Sequence, residues 1–345
     1  MKEFTILGAG IFGLSAAFEA LLRGHSVQVI DPGGVAAGAS GGIVGALAPH
    51  VPENWNAKKE FQFQSLIAAG AFWAKVGEIA QTPTSYARTG RIQPILDDHQ
   101  LSLAQARHES AKTLWQGQAT WEILSQLPSQ SWTVPSPTGQ YIFDTLTGRI
   151  FPRIATQALA QAVRTLGGTI NTQGAHRGLL IDARGAAGLI EMAAQLDRPI
   201  GNAVKGQAAL LRSSAPEAPQ LFAEALHIVP HSNGTVAIGS TSEREFDAAQ
   251  STDAQLDALI AKAARLCPAL ATAPVLERWA GLRPRAKSRA PMIGPHPVTQ
   301  GAWVMNGGFK IGFGMAPKLA TTLLDAIEGD DLSIIPPEFL PQASL

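Results

Sequence analysis

The chain has 345 residues, 46% of them hydrophobic and 16% charged, which is long enough for two lobes and apolar enough to exclude a disordered chain. Lysine plus arginine and aspartate plus glutamate each number 27, so no overall field draws the chain to nucleic acid or to an anionic membrane. The single cysteine, Cys267, excludes an internal disulfide framework and a cysteine-rich metal site; in "ARLCPAL", at a helix end, it reads as a small buried hydrophobe.

The start "MKEFTILGAG" passes straight into a strand without a charged-then-apolar leader, and no run of about 18 apolar residues occurs anywhere. A cytoplasmic protein without a transmembrane segment is expected. Phe4 to Leu7 is a run of β-formers broken by Gly8, and Leu14 to Arg23 has helical apolar spacing that Gly24 ends. "SVQVID" then alternates as a second strand and closes on Asp31, 18 residues past Gly13.

Strand, glycine turn, helix, strand and acid in this order are the setting of a dinucleotide site. Gly8 allows the tight turn, Gly10 lets the backbone approach a pyrophosphate, and Gly13 lets the helix pack closely on the strand. Free N–H groups at the helix start, around Ile11 and Phe12, then face the phosphates. Asp31 is suited to accept ribose hydroxyls and to repel a 2′-phosphate, which disfavours NADP. The next stretch, Gly33 to Gly45, holds six glycines and the single hydroxyl of Ser40. It is not the helix of an NAD-binding unit, and its small residues let backbone press against a large flat ligand.

"GAGIFGLSAAFEALLRGHSVQVID" followed by "GASGGIVGALAPHV" resembles the FAD-dependent amine and amino-acid oxidoreductases of the D-amino-acid oxidase superfamily, glycine oxidases among them. The resemblance implies an α/β fold: a Rossmann-like FAD-binding domain and a second, mixed-sheet substrate domain, both discontinuous. The expected division is 1–50, 140–205 and 275–345 for FAD, and 51–139 and 206–274 for substrate.

In the middle of the chain, "KKEFQFQSLIAAGAFWAKVGEIA" and "DDHQLSLAQARHESAKTLWQ" read as helices and "GRIQPIL" as a strand, a helix-rich insertion that opens the second lobe. Trp55, Trp73, Trp115, Trp121 and Trp132 lie here and are expected to pack in the core. "TGRIFPRIATQALAQAVRTLGGTI" returns to strand, helix and strand. "LLIDARGAAGLIE" matches the family's small-residue turn beneath the flavin, except that Arg184 stands where small or hydroxyl residues are usual. "NAVKGQAALLR" looks like the family's crossing strand, with Lys205-Gly206-Gln207 as its basic-Gly-Gln signature. "LHIVPHSNGTVAIGSTSE" reads as a hairpin around Ser232-Asn233-Gly234, with His231 where the family has arginine. Beside a turn, His231 is expected to be solvated.

Towards the carboxy end, Arg278, Arg283, Arg285, Lys287 and Arg289 fall within twelve positions of "ERWAGLRPRAKSRAPMIGPHP". Such a run usually marks a solvated face, but Gly281-Leu282-Arg283-Pro284 matches a family element whose arginine grips the substrate carboxylate. Arg283 is the expected clamp, since a guanidinium stays charged and holds a carboxylate by two hydrogen bonds. "GAWVMNGGFKIGFGMAPKLATTLLDAI" is a strand, a glycine turn and a helix. In the resembling enzymes this turn lies against the flavin ring, where N–H groups and the helix dipole favour negative charge. Gly307, Gly308, Phe309, Lys310, Ile311 and Gly312 are candidates for that contact, as are Ala39, Ser40, Gly41, Gly45 and Gly281. Glycine oxidase-like sequences have histidine and arginine where this chain has Gly308 and Lys310, leaving Lys310 to serve substrate or flavin.

The resemblance implies oxidation of the C–N bond of a small amino acid or amine, such as glycine, sarcosine or a D-amino acid. Hydride would pass to flavin N5 and the imine would be hydrolysed, with oxygen or another acceptor reoxidising FAD. Nucleic acid is not an expected partner. Three alternatives stand beside this reading: a tRNA wobble-uridine carboxymethylaminomethyl oxidase of the same superfamily, an NAD-dependent dehydrogenase, and a flavin-binding protein without catalysis.

Overall fold

The computed structural model describes residues 1–127, 129 and 131–345. The amino-terminal strand Glu3–Leu7 (β1) lies at the centre of a six-stranded sheet because its apolar side chains are buried on both sides, as the parallel pairing of α/β folds requires. Its neighbours are Ser26–Ile30 (β2), flanked by Thr169–Asn171 (β8), and Leu179–Asp182 (β9), flanked by Trp303–Asn306 (β16) and the antiparallel edge strand Met292–Pro295 (β15). The helices Ile11–Leu22 (α1), Ala57–Ala80 (α2), Pro152–Thr165 (α4) and Gly312–Gly329 (α7) pack on one another around the same core. Asn56 caps α2 by accepting from the Lys59 N–H at 3.0 Å, and Pro152 opens α4 where its missing N–H costs nothing.

An eight-stranded mixed sheet makes the other half. Its order is Val275–Ala286 (β14), Gly201–Arg212 (β10), Thr235–Gly239 (β13), Leu226–Pro230 (β12), Gln220–Ala223 (β11), Arg91–Pro94 (β4), Tyr141–Asp144 (β6) and Trp121–Leu124 (β5). Ala46–Leu47 (β3) and Gly148–Arg149 (β7) pair separately. Asp98–Leu114 (α3) lies on β5, Gly185–Gln195 (α5) against β10 and β14, and Ala254–Leu266 (α6) against β10 and β13. Cys267 is buried at the end of α6 in the core of this sheet, and Trp73, Trp115, Trp121 and Trp132 are buried while Trp55 is partly so. Among the described residues no helix is long and apolar enough to cross a membrane.

Three elements lie elsewhere than the expected division put them. The helix α2 buries Phe61, Leu66, Trp73 and Val76 in the core it shares with α1 and α7, not in the second lobe. The strand β14 runs antiparallel along β10 from Gly201↔Ala286 to Leu211↔Val275, so it belongs to the large sheet, as does β6. Long-range pairing partners decide both placements, and periodicity does not carry that information.

His231 is also not solvated. It is 1% exposed, stacks on Phe151 with ring centroids 4.4 Å apart, and its Nε2 meets the Ile43 carbonyl at 3.0 Å. Burial, with Arg149 nearby, drives its pKa down to about 4, because a proton on Nδ1 finds no acceptor there. Unfolded chain therefore takes up a proton between pH about 6.5 and 4 that the folded site refuses, and stability falls as pH falls through that window. In urea unfolding, the stability gap between wild type and His231→Gln should shrink by about 3 kcal/mol from pH 7 to pH 4.

Candidate functional site

Between the two sheets lies a cavity of about 770 Å³, within the range of sites that hold a cofactor and a small ligand. At one end the β1–α1 turn contributes Gly8, Gly10, Ile11 and Phe12, with Asp31 from the end of β2. Gly8 holds φ +106, and a Cβ there would stand 2.5 Å from the Ala183 carbonyl oxygen, so only glycine brings this turn against β9. Gly13 does not line the cavity; it lies directly over the Gly8 carbonyl and seats α1 on the turn.

Asp31 accepts from the Ala9 N–H at 2.8 Å and from the Gly33 N–H at 2.9 Å, which leaves further lone pairs on both oxygens. Ala39, Ser40 and Gly45 line the wall, and Ser40 Oγ accepts from the Ile11 N–H at 2.9 Å. Gly41 sits behind the wall against the Ala36 carbonyl. Opposite lies the Arg184 turn. Its guanidinium forms a fork with Asp182 at 2.6 Å and reaches Glu191. Burial alone would raise the Asp182 carboxyl, but His296 and Arg184 bring it down to about 2. Arg184 is thus spent on structure.

The other end is formed by β14 and the turn before α7. Gly281, Arg283, Gly308, Phe309, Lys310 and Gly312 line it, whereas Gly307 and Ile311 face an adjoining cavity of about 220 Å³. The Phe309 N–H donates to the Pro284 carbonyl at 2.8 Å, and Arg285 and Gly308 form a bridge. Arg285 and Lys310 stand 5.3 and 5.5 Å from the Phe309 ring centroid.

Arg283 donates to the Thr241 carbonyl at 3.2 Å and has no carboxylate within salt-bridge distance among the described residues. Desolvation, opposed by Glu243, lowers its pKa to about 10, so it remains charged at neutral pH. Partial burial, then Arg283 and Arg285, lowers the Lys310 ammonium.

Two contributors escaped the sequence reading. His227, on β12, lines the cavity and is held neutral, with a pKa pushed to about 3 by burial, Arg91 and Lys310. Gly206, in β10 opposite Gly281, lies under the Arg283 guanidinium, and any Cβ there would overlap it. A glycine inside an alternating strand is the signal that pointed to such a close approach.

The cavity suits FAD on its own terms. The helices α1, α5 and α7 all open onto it, none has a side-chain cap from its own N-cap residue, and none has an acid in its first turn. Three helix N-termini converge where Asp31 is, among the described residues, the only lining carboxylate, an arrangement that favours an anionic ligand.

The sequence profile of a family described as "FAD dependent oxidoreductase" matches residues 3–325. A glycine oxidase of Pseudomonas aeruginosa is 27% identical with 100% of each chain aligned, and one of Geobacillus kaustophilus is 24% identical over 94% of this chain and 93% of its own. The solved structure of an iminodiacetate oxidase from Chelativorans sp. BNC1 superposes with a TM-score of 0.84 at 19% identity, covering 98% of both chains. The chain belongs to this family, within the D-amino-acid oxidase superfamily, and is an FAD-dependent amine or amino-acid oxidoreductase. Replacing Gly8 with alanine forces a left-handed φ on a side chain and a clash with Ala183. The ratio of flavin to protein absorbance in purified Gly8→Ala should fall well below that of wild type.

Proposed function

We propose that the protein oxidises the C–N bond of a small amine or amino acid that carries a carboxylate, glycine, sarcosine and D-amino acids being the simplest, and that Arg283 holds the carboxylate. The observation that carries this reading is a charged guanidinium without a carboxylate partner, lining the cavity beside the turn that precedes α7. The alignment with glycine oxidases supports it.

The adenosine end of FAD would lie at Gly8, Gly10 and Asp31, and its ring end near Ser40, Gly45 and the turn from Gly308 to Gly312. When bound, FAD accepts the hydride that leaves the substrate carbon and passes two electrons on to oxygen or another acceptor. The chain's own part is placement and charge. Arg283 orients the carboxylate in a fork, and Gly206 leaves room for the guanidinium to lie flat on β10. The α7 N-terminus favours negative charge that develops beside it. Neutral His227 is available near the amine as a polar group that does not repel it.

Water then hydrolyses the imine. A tRNA-sized substrate loses part of its support, because Arg278 pairs with Asp257 and Lys287 donates to the Leu345 carbonyl at 3.0 Å. A cytoplasmic setting agrees with the single buried cysteine.

Arg283→Ala should keep FAD, judged by absorbance, and raise KM for a carboxylate amine by about 100-fold, the scale of a lost charge-assisted fork. An unchanged KM would remove the clamp. Gly206→Ala should reproduce a part of that increase, since the new methyl would overlap the Arg283 guanidinium and push it aside. Anaerobic mixing with candidate amines should bleach the flavin; no bleaching by any of them would refute amine oxidation.

A further inference from the structure

Four cationic side chains line the large cavity: Arg184, Arg278, Arg283 and Lys310. Arg184 is neutralised by Asp182 and Glu191, and Arg278 by Asp257. Arg283 and Lys310 have no carboxylate within 4.0 Å among the described residues, and the one lining carboxylate, Asp31, is at the far, adenosine end. Glu243, the acid that Arg283 feels, is engaged by Lys205 at 3.3 Å and by Gln207 at 3.1 Å. The adjoining cavity behind Phe309 adds Lys58, Arg285 and Arg289 and again no carboxylate.

The substrate end is therefore a strongly positive pocket with two cations left for the ligand. One carboxylate, as in glycine or sarcosine, would satisfy only one of them. Lys310 lines the same cavity as His227 on β12 and Arg283 on β14 of the large sheet.

We propose that the substrate is an amine bearing two carboxylates, one held by Arg283 and the second by Lys310. This rests on the amine-oxidation reading above and adds the second anionic group to it. The C–N oxidation itself is unchanged; the second carboxylate contributes binding and orientation of the arm that carries it. Lys310 is exposed, and a charge pair at such a position gives roughly a fivefold preference.

The test uses FAD-loaded enzyme under anaerobic conditions with iminodiacetate and N-ethylglycine, which differ only by a carboxylate in place of a methyl group. Wild type should reach half-maximal bleaching at an iminodiacetate concentration roughly fivefold lower. Lys310→Met should bring the ratio close to one, and Lys310→Arg should keep it. A wild-type ratio near one, or a ratio that survives Lys310→Met, overturns the second carboxylate site while bleaching by N-ethylglycine leaves the amine-oxidation reading standing. An effect of Lys310→Met seen only in the flavin midpoint potential, equal for both amines, also overturns it and assigns the lysine to the flavin. No bleaching by any amine removes both readings together.

Discussion

A backbone hydrogen bond, from the Phe309 N–H to the Pro284 carbonyl at 2.8 Å, joins the two halves of the molecule where the chemistry is proposed. Pro284 belongs to β14 of the large sheet, and Phe309 to the turn that starts α7 of the other. With the Arg285–Gly308 bridge beside it, the bond sets the strand that carries Arg283 at a fixed offset from the turn expected to meet the flavin. Rate in a hydride transfer depends steeply on such an offset, since an error of about 1 Å can cost on the order of 100-fold. The long pairing of β14 with β10 and the seating of Arg283 on Gly206 then extend this offset to the guanidinium itself.

Around that joint the chain sorts its charges by location. At the adenosine end, helix N-termini without caps face a cavity with a single carboxylate. Two of the lining cations are removed from play, Arg184 by its fork to Asp182 and Arg278 by Asp257. At the end proposed to take substrate, Arg283 and Lys310 have no carboxylate within 4.0 Å among the described residues. The contrast is within one cavity, so it reflects ligand chemistry at each end and not the chain's overall balance, which is neutral.

The parts of this arrangement legible in the sequence are those set by local backbone geometry. Gly8 announces a left-handed turn and Gly13 a close helix contact, and both constraints act within a few residues. Arg283 was singled out by its flanking Gly-x-Arg-Pro element, and the structure places it on the cavity wall. His231 was not, because its burial is decided by Phe151 and Ile43, 80 and 188 residues away in the chain, and a hairpin turn says nothing about what covers it. Arg184 differs from His231 in that its partners are local: Asp182 stands two residues before it and Glu191 seven after it. The helix α2 and the strand β14 changed lobes because pairing over long separations, and not periodicity, decided where they pack.

How each cation along the β10–β14 seam stays charged explains why these residue types stand where they do. Lys205 is only 3% exposed and is paired with Glu243 at 3.3 Å, so its charge is compensated where water is excluded. Arg283 has no such acid and relies on its own basicity: even lowered to about 10, the guanidinium is protonated at neutral pH. Lys310 is more open to solvent, and what burial it has, with Arg283 and Arg285 beside it, lowers its ammonium. Exchanging Arg283 for lysine would put an ammonium in the desolvated place without a carboxylate, where its proton is least secure.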